Sequence, residues 1–123
     1  MKKILLLVVV FILSISVTYA KAFYNGKLPL PGASRADINL QSDTFMDVYS
    51  AASLKVTDCS KFAIIDTAIL KQPHEVEKNG SKFKAWSEQW TVKACGQKVF
   101  VPIEFLTKES DTTHVIENSR VHF

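Results

Sequence analysis

The chain has 123 residues and a formal net charge of +3, with 15 basic and 12 acidic residues. The basic residues form no cluster, so the composition argues against a nucleic-acid-binding protein. The length is enough for one small domain and marginal for two.

The first twenty residues have the pattern of a secretory signal peptide. Lys2 and Lys3 precede an apolar run from Ile4 to Leu13, and small and polar residues follow up to Ala20. A spanning helix needs about twenty apolar residues, which this run does not provide. We therefore predict cleavage after Ala20, a periplasmic or extracellular location, and no stable membrane insertion after cleavage.

Residues 21–41 contain Asn25-Gly26, Pro29, Pro31 and Gly32 without a sustained apolar period, which predicts an extended arm or loop. Residues 42–123 are predicted to form a single domain. Its first element is a helix from about Asp43 to Leu54. The predicted cap is Ser42 or Asp43, and the predicted apolar face consists of Phe45, Met46, Tyr49, Ala52 and Ser53.

Two hairpin turns are predicted after Cys59, at Asn79-Gly80 and at Gly96-Gln97. The second turn makes one face apolar, with the pairs Ala94 and Val99, Val92 and Val101, Trp90 and Ile103, and Glu88 and Phe105. The first turn gives charged and then apolar pairs, namely Glu77 and Lys82, Glu75 and Lys84, Lys71 and Glu88, Ile69 and Trp90, and Ile65 and Ala94.

Two further features complete the predicted sheet. Pro73 cannot donate to a ladder and indicates a bulge or an edge strand, and residues 112–123 supply a last strand. The predicted fold is α+β, with one N-terminal helix packed on a four-stranded antiparallel meander. Cys59 and Cys95 are expected to form one disulfide, because export favours disulfides and the predicted register brings the two residues close.

The stretch WSEQWTVKACG, residues 86–96, combines two tryptophans with a carboxylate. The opposite strand is equally apolar, so we interpret the stretch as core, with Trp86 as a candidate binding residue because it lies beyond the apolar block. Glu88 is the candidate catalytic residue, since a carboxylate among aromatic side chains can act as an acid or base. A cross-strand ion pair with Lys71 is the structural alternative.

Other chemistry is not indicated. His74, His114 and His122 are too scattered for a metal signature, so we predict no metal and no cofactor. No serine lies in a nucleophile-elbow motif.

The run from Glu88 to Gly96, followed by Val101-Pro102-Ile103-Glu104-Phe105, resembles small exported bacterial proteins that carry an E-x-W-x-V-x-x-C-G stretch. The resemblance covers about a fifth of the chain after Ala20. It implies bacterial export and a structural tryptophan and cysteine hairpin, and it contributes no catalytic residue.

Three functions are compatible with these patterns. The favoured one is a non-enzymatic protein-binding module whose partner is a protein of the envelope or the medium, bound through an edge strand or the arm from Ala22 to Leu30 with Phe23 and Tyr24. The second is a small hydrolase or carbohydrate-active protein that uses Glu88 with Glu104 or Asp66. The third is a small-ligand carrier with a pocket lined by Phe45, Tyr49, Trp90 and Phe105.

Overall fold

The computed structural model describes residues 28–123, so the predicted signal peptide, Phe23 and Tyr24 lie outside the described residues. The elements in chain order are α1 (Ile38–Lys55), β1 (Phe62–Lys78), β2 (Ser81–Ala94), β3 (Gln97–Lys108), β4 (Asp111–Ile116) and a 3₁₀ turn (Asn118–Arg120). The strands form one antiparallel sheet in the order β1-β2-β3-β4. The predicted α+β class is confirmed, although the helix lies in the middle of the chain rather than at its N-terminus. None of the helices among residues 28–123 is both long and apolar enough to cross a membrane.

Each strand is joined to the next by a two-residue turn. Asn79 and Gly80 have φ values of 52° and 79°, and Cys95 and Gly96 have 48° and 83°. Positive φ at both turn residues is what a type I′ hairpin requires. The predicted turn at Gly96-Gln97 is therefore wrong by one position. The register of β2 against β3 is shifted by two residues from the prediction, so that Val92 pairs with Val99, and a shift of two leaves every side chain on its predicted face.

Strand β1 has three irregularities, whereas the sequence predicts only the one at Pro73. The register against β2 shifts between Ile64 and Asp66, between Ile69 and Lys71, and between Lys71 and His74. Each shift adds one residue to β1, which explains why β1 has 17 residues and β2 has 14. The last shift contains Pro73 and confirms the bulge predicted there.

The bulges correct part of the predicted pairing. Glu77 lies opposite Lys82 and Glu75 opposite Lys84, as predicted, but Lys71 pairs with Ser87 rather than with Glu88. Ile69 lies opposite Glu88 and Phe62 lies opposite Ala94. A one-residue bulge moves the following side chains to the other face, so the proposed ion pair between Lys71 and Glu88 does not exist.

Helix α1 begins five residues earlier than predicted. Asp37 caps it, because its Oδ1 accepts a hydrogen bond of 2.8 Å from the backbone N–H of Leu40. The buried face also differs from the prediction, since Met46 and Ser53 are exposed. The buried residues are Gln41, Thr44, Val48, Tyr49, Ala51 and Ala52. Counting apolar residues missed Gln41 and Thr44, whose polar groups are satisfied by backbone partners.

One core lies between α1 and one face of the sheet. The two central strands supply most of its fully buried apolar side chains, namely Trp90, Val92, Ala94, Val99, Val101, Ile103 and Phe105, and α1 adds Val48 and Ala52. The predicted disulfide is present and joins the segment after α1 to the turn between β2 and β3, with a Cα to Cα distance of 5.9 Å between Cys59 and Cys95. The alternation of side chains in the hairpin therefore specifies the core as predicted.

Gly32 marks the point where the chain before α1 lies against β1. A Cβ atom at Gly32 would come within 2.3 Å of the backbone oxygen of Thr67, and its φ of 99° is unfavourable for other residues. Gly80 has a similar φ of 79° but open space around its Cα.

We expect Gly32→Ala to lower the free energy of unfolding by roughly 3 kcal/mol and Gly80→Ala by only about 1 kcal/mol, because only the first adds a backbone collision to the cost of the left-handed conformation. Urea unfolding followed by circular dichroism measures both values. Equal losses for the two variants would contradict a close contact between Gly32 and β1.

Candidate functional site

The buried carboxylate of Glu88 lies between Trp86 and Trp90 in the stretch of residues 86–96. Trp86, Glu88 and Trp90 are alternate residues of β2, so all three point to the helix side of the sheet. The cross-strand neighbours of Glu88 are Ile69 of β1 and Ile103 of β3. Glu88 has no solvent exposure. A charged group in such surroundings requires hydrogen-bond partners.

Three N–H groups supply these partners. The indole Nε1 of Trp86 donates to Oε2 of Glu88 at 2.7 Å, and that of Trp90 donates to Oε1 at 2.8 Å. The backbone N–H of Arg35 donates to Oε2 at 2.9 Å. Within residues 28–123, no lysine or arginine side chain forms an ion pair with Glu88. The carboxylate, whose two oxygens only accept hydrogen bonds, is therefore stabilised by neutral N–H donors.

The segment before α1 is held over this cluster through Thr67 of β1. The Thr67 hydroxyl donates to the carbonyl of Pro31 at 2.7 Å and accepts from the backbone N–H of Ser34 at 3.0 Å. The backbone oxygen of Thr67 accepts from Ala33 at 2.9 Å. These contacts place Arg35 against Glu88. The segment containing Pro29, Pro31 and Gly32 was predicted to be an arm or loop, and it covers the carboxylate.

The arrangement disfavours acid or base chemistry by Glu88. Both of its oxygens accept hydrogen bonds and neither reaches solvent, whereas a general acid or base must approach the proton that it transfers. Glu104 and Asp66 pair with Ser87 and Thr91, so they lie on the other face of the sheet. Glu104 also forms an ion pair with Lys78 at 2.8 Å. The three carboxylates do not share a site.

The aromatic residues suggested for a ligand pocket contact one another. Phe45 and Tyr49 meet edge to face with ring centroids 5.6 Å apart, and Trp90 and Phe105 lie 6.3 Å apart. Trp86 is 9% exposed and stacks on Phe105 at 4.9 Å. These contacts are those of a packed core.

The three histidines are separated in space as well as in sequence. His114 of β4 contacts Asp47 of α1, with 2.6 Å between Nε2 and Oδ2. His122 stacks on Phe100, and His74 contacts the backbone of Gln72. Among residues 28–123, no group of three histidine, cysteine, aspartate or glutamate side chains is placed to hold a metal ion.

The two edges of the sheet differ in their protection. The β1 edge has three bulges and Pro73, and its backbone at Thr67 accepts a hydrogen bond from Ala33. Bulges, prolines and covering segments are the common means by which proteins block strand pairing. The β1 edge is therefore closed to a further strand.

Among the described residues, the β4 edge has no bulge, no proline and no covering segment. Its sequence, Asp-Thr-Thr-His-Val-Ile, lacks lysine and proline, and its pairing with β3 is regular over all six residues. Within the part of the chain that the structure describes, no backbone group forms a hydrogen bond to the outer side of β4. We call the outward backbone of Asp111–Ile116 the open edge. The predicted last strand, residues 112–123, is shorter in the structure and ends at Ile116. Its lack of lysine and proline is the sequence signal for an open edge.

The residues that present their backbone at the open edge follow from the turn. Lys108 and Asp111 close a two-residue hairpin and form a hydrogen-bonded pair. Every second residue of β4 after Asp111 therefore forms its backbone hydrogen bonds with β3. The bond from Glu117 N–H to the Pro102 carbonyl, at 3.0 Å, continues the same alternation. The N–H and C=O groups that point away from β3 thus belong to Thr112, His114 and Ile116.

Compared with models of protein families, with curated proteins and with solved structures, the chain matches none of them. Functional conclusions for this chain therefore depend on its own residues.

Proposed function

We propose that this protein is an exported, non-enzymatic protein-binding module that accepts an extended segment of another protein at its open edge. The asymmetry between the two sheet edges carries the proposal. One edge is blocked by bulges, Pro73 and a covering segment, while the other is the regular strand β4, whose outward backbone groups pair with nothing among residues 28–123. An extended peptide can add to such an edge as a further strand.

The side chains of β4 favour the same interaction. Thr112, Thr113, Val115 and Ile116 are β-branched, and residues of this type pack well across paired strands. Val115 is 50% exposed on the outer face of the sheet. A partner strand would cover it and gain apolar contact in addition to backbone hydrogen bonds.

Export is supported by two independent features. The first twenty residues have the charged and apolar pattern of a signal peptide. Cys59 and Cys95 form a disulfide, and disulfides persist in the periplasm and outside the cell. A partner in the envelope or the medium is consistent with both.

Photocrosslinking tests the proposal at matched positions on the two edges. Leu70 of β1 is 53% exposed and Val115 of β4 is 50% exposed, so the two side chains are equally accessible. We expect p-benzoylphenylalanine at position 115 to give a crosslinked adduct in cells that export the protein, and the same amino acid at position 70 to give none. The mass of the adduct and its peptides identify the partner.

A backbone variant separates strand addition from adventitious contact. Thr112→Pro removes an N–H group from the open edge, whereas Thr112→Ala keeps that N–H group and removes the side-chain methyl and the hydroxyl that contacts Thr107. The adduct at position 115 is expected to disappear with proline and to persist with alanine. An adduct that survives Thr112→Pro, or equal adducts at positions 70 and 115, would contradict binding by strand addition.

A further inference from the structure

We infer that the first occupant of the open edge is a second copy of this chain, which pairs through β4 and forms a symmetric dimer with a continuous eight-stranded sheet. This inference rests on the proposed function, because it concerns the same edge and describes what occupies that edge before another protein binds. A long-lived open edge exposes an exported protein to aggregation. Self-pairing covers the edge until another strand displaces the second copy.

The alternation of backbone groups restricts the register of such a dimer. In an antiparallel pair, residues with outward N–H and C=O groups must lie opposite one another, and here these residues are Thr112, His114 and Ile116. The register with His114 opposite His114 of the second copy satisfies this condition. It pairs five of the six residues of β4 on each side.

The side chains are compatible with this register. Thr112 would lie opposite Ile116 of the second copy, and Thr113 opposite its Val115, so the pairs on both sides of the centre are β-branched. The competing register with Thr113 opposite Thr113 places the charged Asp111 opposite Val115. The central histidines each already contact Asp47 of their own chain, so neither imidazole requires a partner across the seam.

Helix α1 adds an apolar side chain beside the seam. The contact between Asp47 and His114 places one flank of α1 over β4. Leu54 lies seven residues after Asp47 and therefore on the same flank, and it is 78% exposed. A twofold axis perpendicular to the sheet brings both helices to the same face, so Leu54 of each copy lies beside the joined strands.

The dimer is closed because its outer edges are both β1. Each outer edge keeps its three bulges and Pro73, which disfavour the addition of further strands. Assembly through β4 therefore ends at two copies and does not continue as a fibre.

Sedimentation equilibrium of the exported, purified chain tests self-pairing directly. The expected result is a reversible change from one to two copies as the protein concentration rises. Thr112→Pro is expected to remain monomeric at every concentration with its circular dichroism spectrum unchanged, and Thr112→Ala is expected to dimerise like the parent chain. A parent chain that stays monomeric, or a Thr112→Pro variant that dimerises equally, would overturn the inference.

A pair of cysteine variants tests the register. Thr113 and Val115 are both exposed on the outer face of β4. In the proposed register Thr113 of one copy faces Val115 of the other in a pair without backbone bonds, with about 4.5 Å between Cα atoms. We expect a mixture of Thr113→Cys and Val115→Cys chains to form a covalent dimer in oxidised glutathione faster than either variant alone. Equal rates for the mixture and the single variants would refute this register.

The two proposals can fail separately. Strand addition is supported and self-pairing is overturned if the chain is monomeric and its adduct at position 115 contains another protein. In that case the adduct must also disappear in the Thr112→Pro variant. An adduct that contains only a second copy supports self-pairing and contradicts a second protein as the occupant. Absence of dimer and adduct overturns both.

Discussion

The Glu88→Ala variant is expected to lose at least about 4 kcal/mol of stability, a large fraction of what a small domain has. The substitution removes the acceptor of the two buried indole N–H groups of Trp86 and Trp90 and of the partly buried backbone N–H of Arg35. Each donor left without a partner costs about 1–3 kcal/mol, and the empty volume adds to the loss. Urea unfolding followed by circular dichroism measures the change.

The Glu88→Gln variant provides a milder test that does not depend on the alanine variant folding. Glutamine keeps the shape but has one acceptor oxygen, so its NH₂ group must face at least one N–H donor. We expect a loss of roughly 2–3 kcal/mol. Glu104→Gln is the matched control, because it breaks only the partly exposed ion pair with Lys78 and should cost less than about 1 kcal/mol. Equal stability of the two glutamine variants would contradict a structural role for Glu88.

Removal of the disulfide is expected to have an effect of similar size. Cys59 and Cys95 are separated by 36 positions in the sequence, and the chain-entropy estimate for a loop of this length is about 4 kcal/mol. The Cys59→Ser/Cys95→Ser chain should therefore unfold at a much lower urea concentration than the parent. The far-ultraviolet circular dichroism spectrum below the transition shows whether the sheet is kept.

Two measurements check this prediction. Reduction of the parent chain with dithiothreitol should lower its unfolding midpoint to that of the double serine variant, while the variant itself should not respond. Intact mass before and after alkylation counts the thiols. Two free thiols in the native, oxidised protein would show that the bridge does not form, and unchanged unfolding after verified reduction would show that it contributes little stability.

The sequence was sufficient for the central hairpin because turn and core patterns agreed. The alternation from Trp86 to Ala94 and from Val99 to Phe105 predicts one apolar face, and the structure buries that face under α1. The predicted turn lies one residue too late because glycine is the expected first residue of such a turn, whereas in the structure Cys95 takes that position with a positive φ. The error did not matter for the core, since the register shifted by two.

The register of β1 was harder to predict, because a bulge leaves little local signal. Pro73 predicts one irregularity, but no residue type near Ile65 or Leu70 indicates the other two extra residues. Extrapolation from Asn79-Gly80 was therefore correct for Glu77 and Glu75 and failed at Lys71. The candidate site depended on this strand, so the error gave Glu88 the wrong partner.

The helix and the carboxylate cluster depend on contacts far apart in sequence. Arg35 reaches Glu88 through a backbone N–H, which no side-chain pattern can indicate. The side-chain amide of Gln41 accepts a hydrogen bond from the backbone N–H of Leu30 and donates one to the carbonyl of Ala36. Amphipathic counting treats both regions as polar and exposed, because it has no term for a buried polar side chain that the backbone satisfies.

The shared carboxylate also gives the protein a built-in spectroscopic reporter. The indole N–H groups of both tryptophans of the protein donate to Glu88. The oxygen that accepts from Trp86, Oε2, also accepts from the backbone N–H of Arg35. Release of the covering segment therefore changes the surroundings of both indoles together. Their emission and near-ultraviolet circular dichroism follow the docking of residues 31–35 on the sheet without any added label, and they distinguish the closing of the cluster from the formation of the strands themselves.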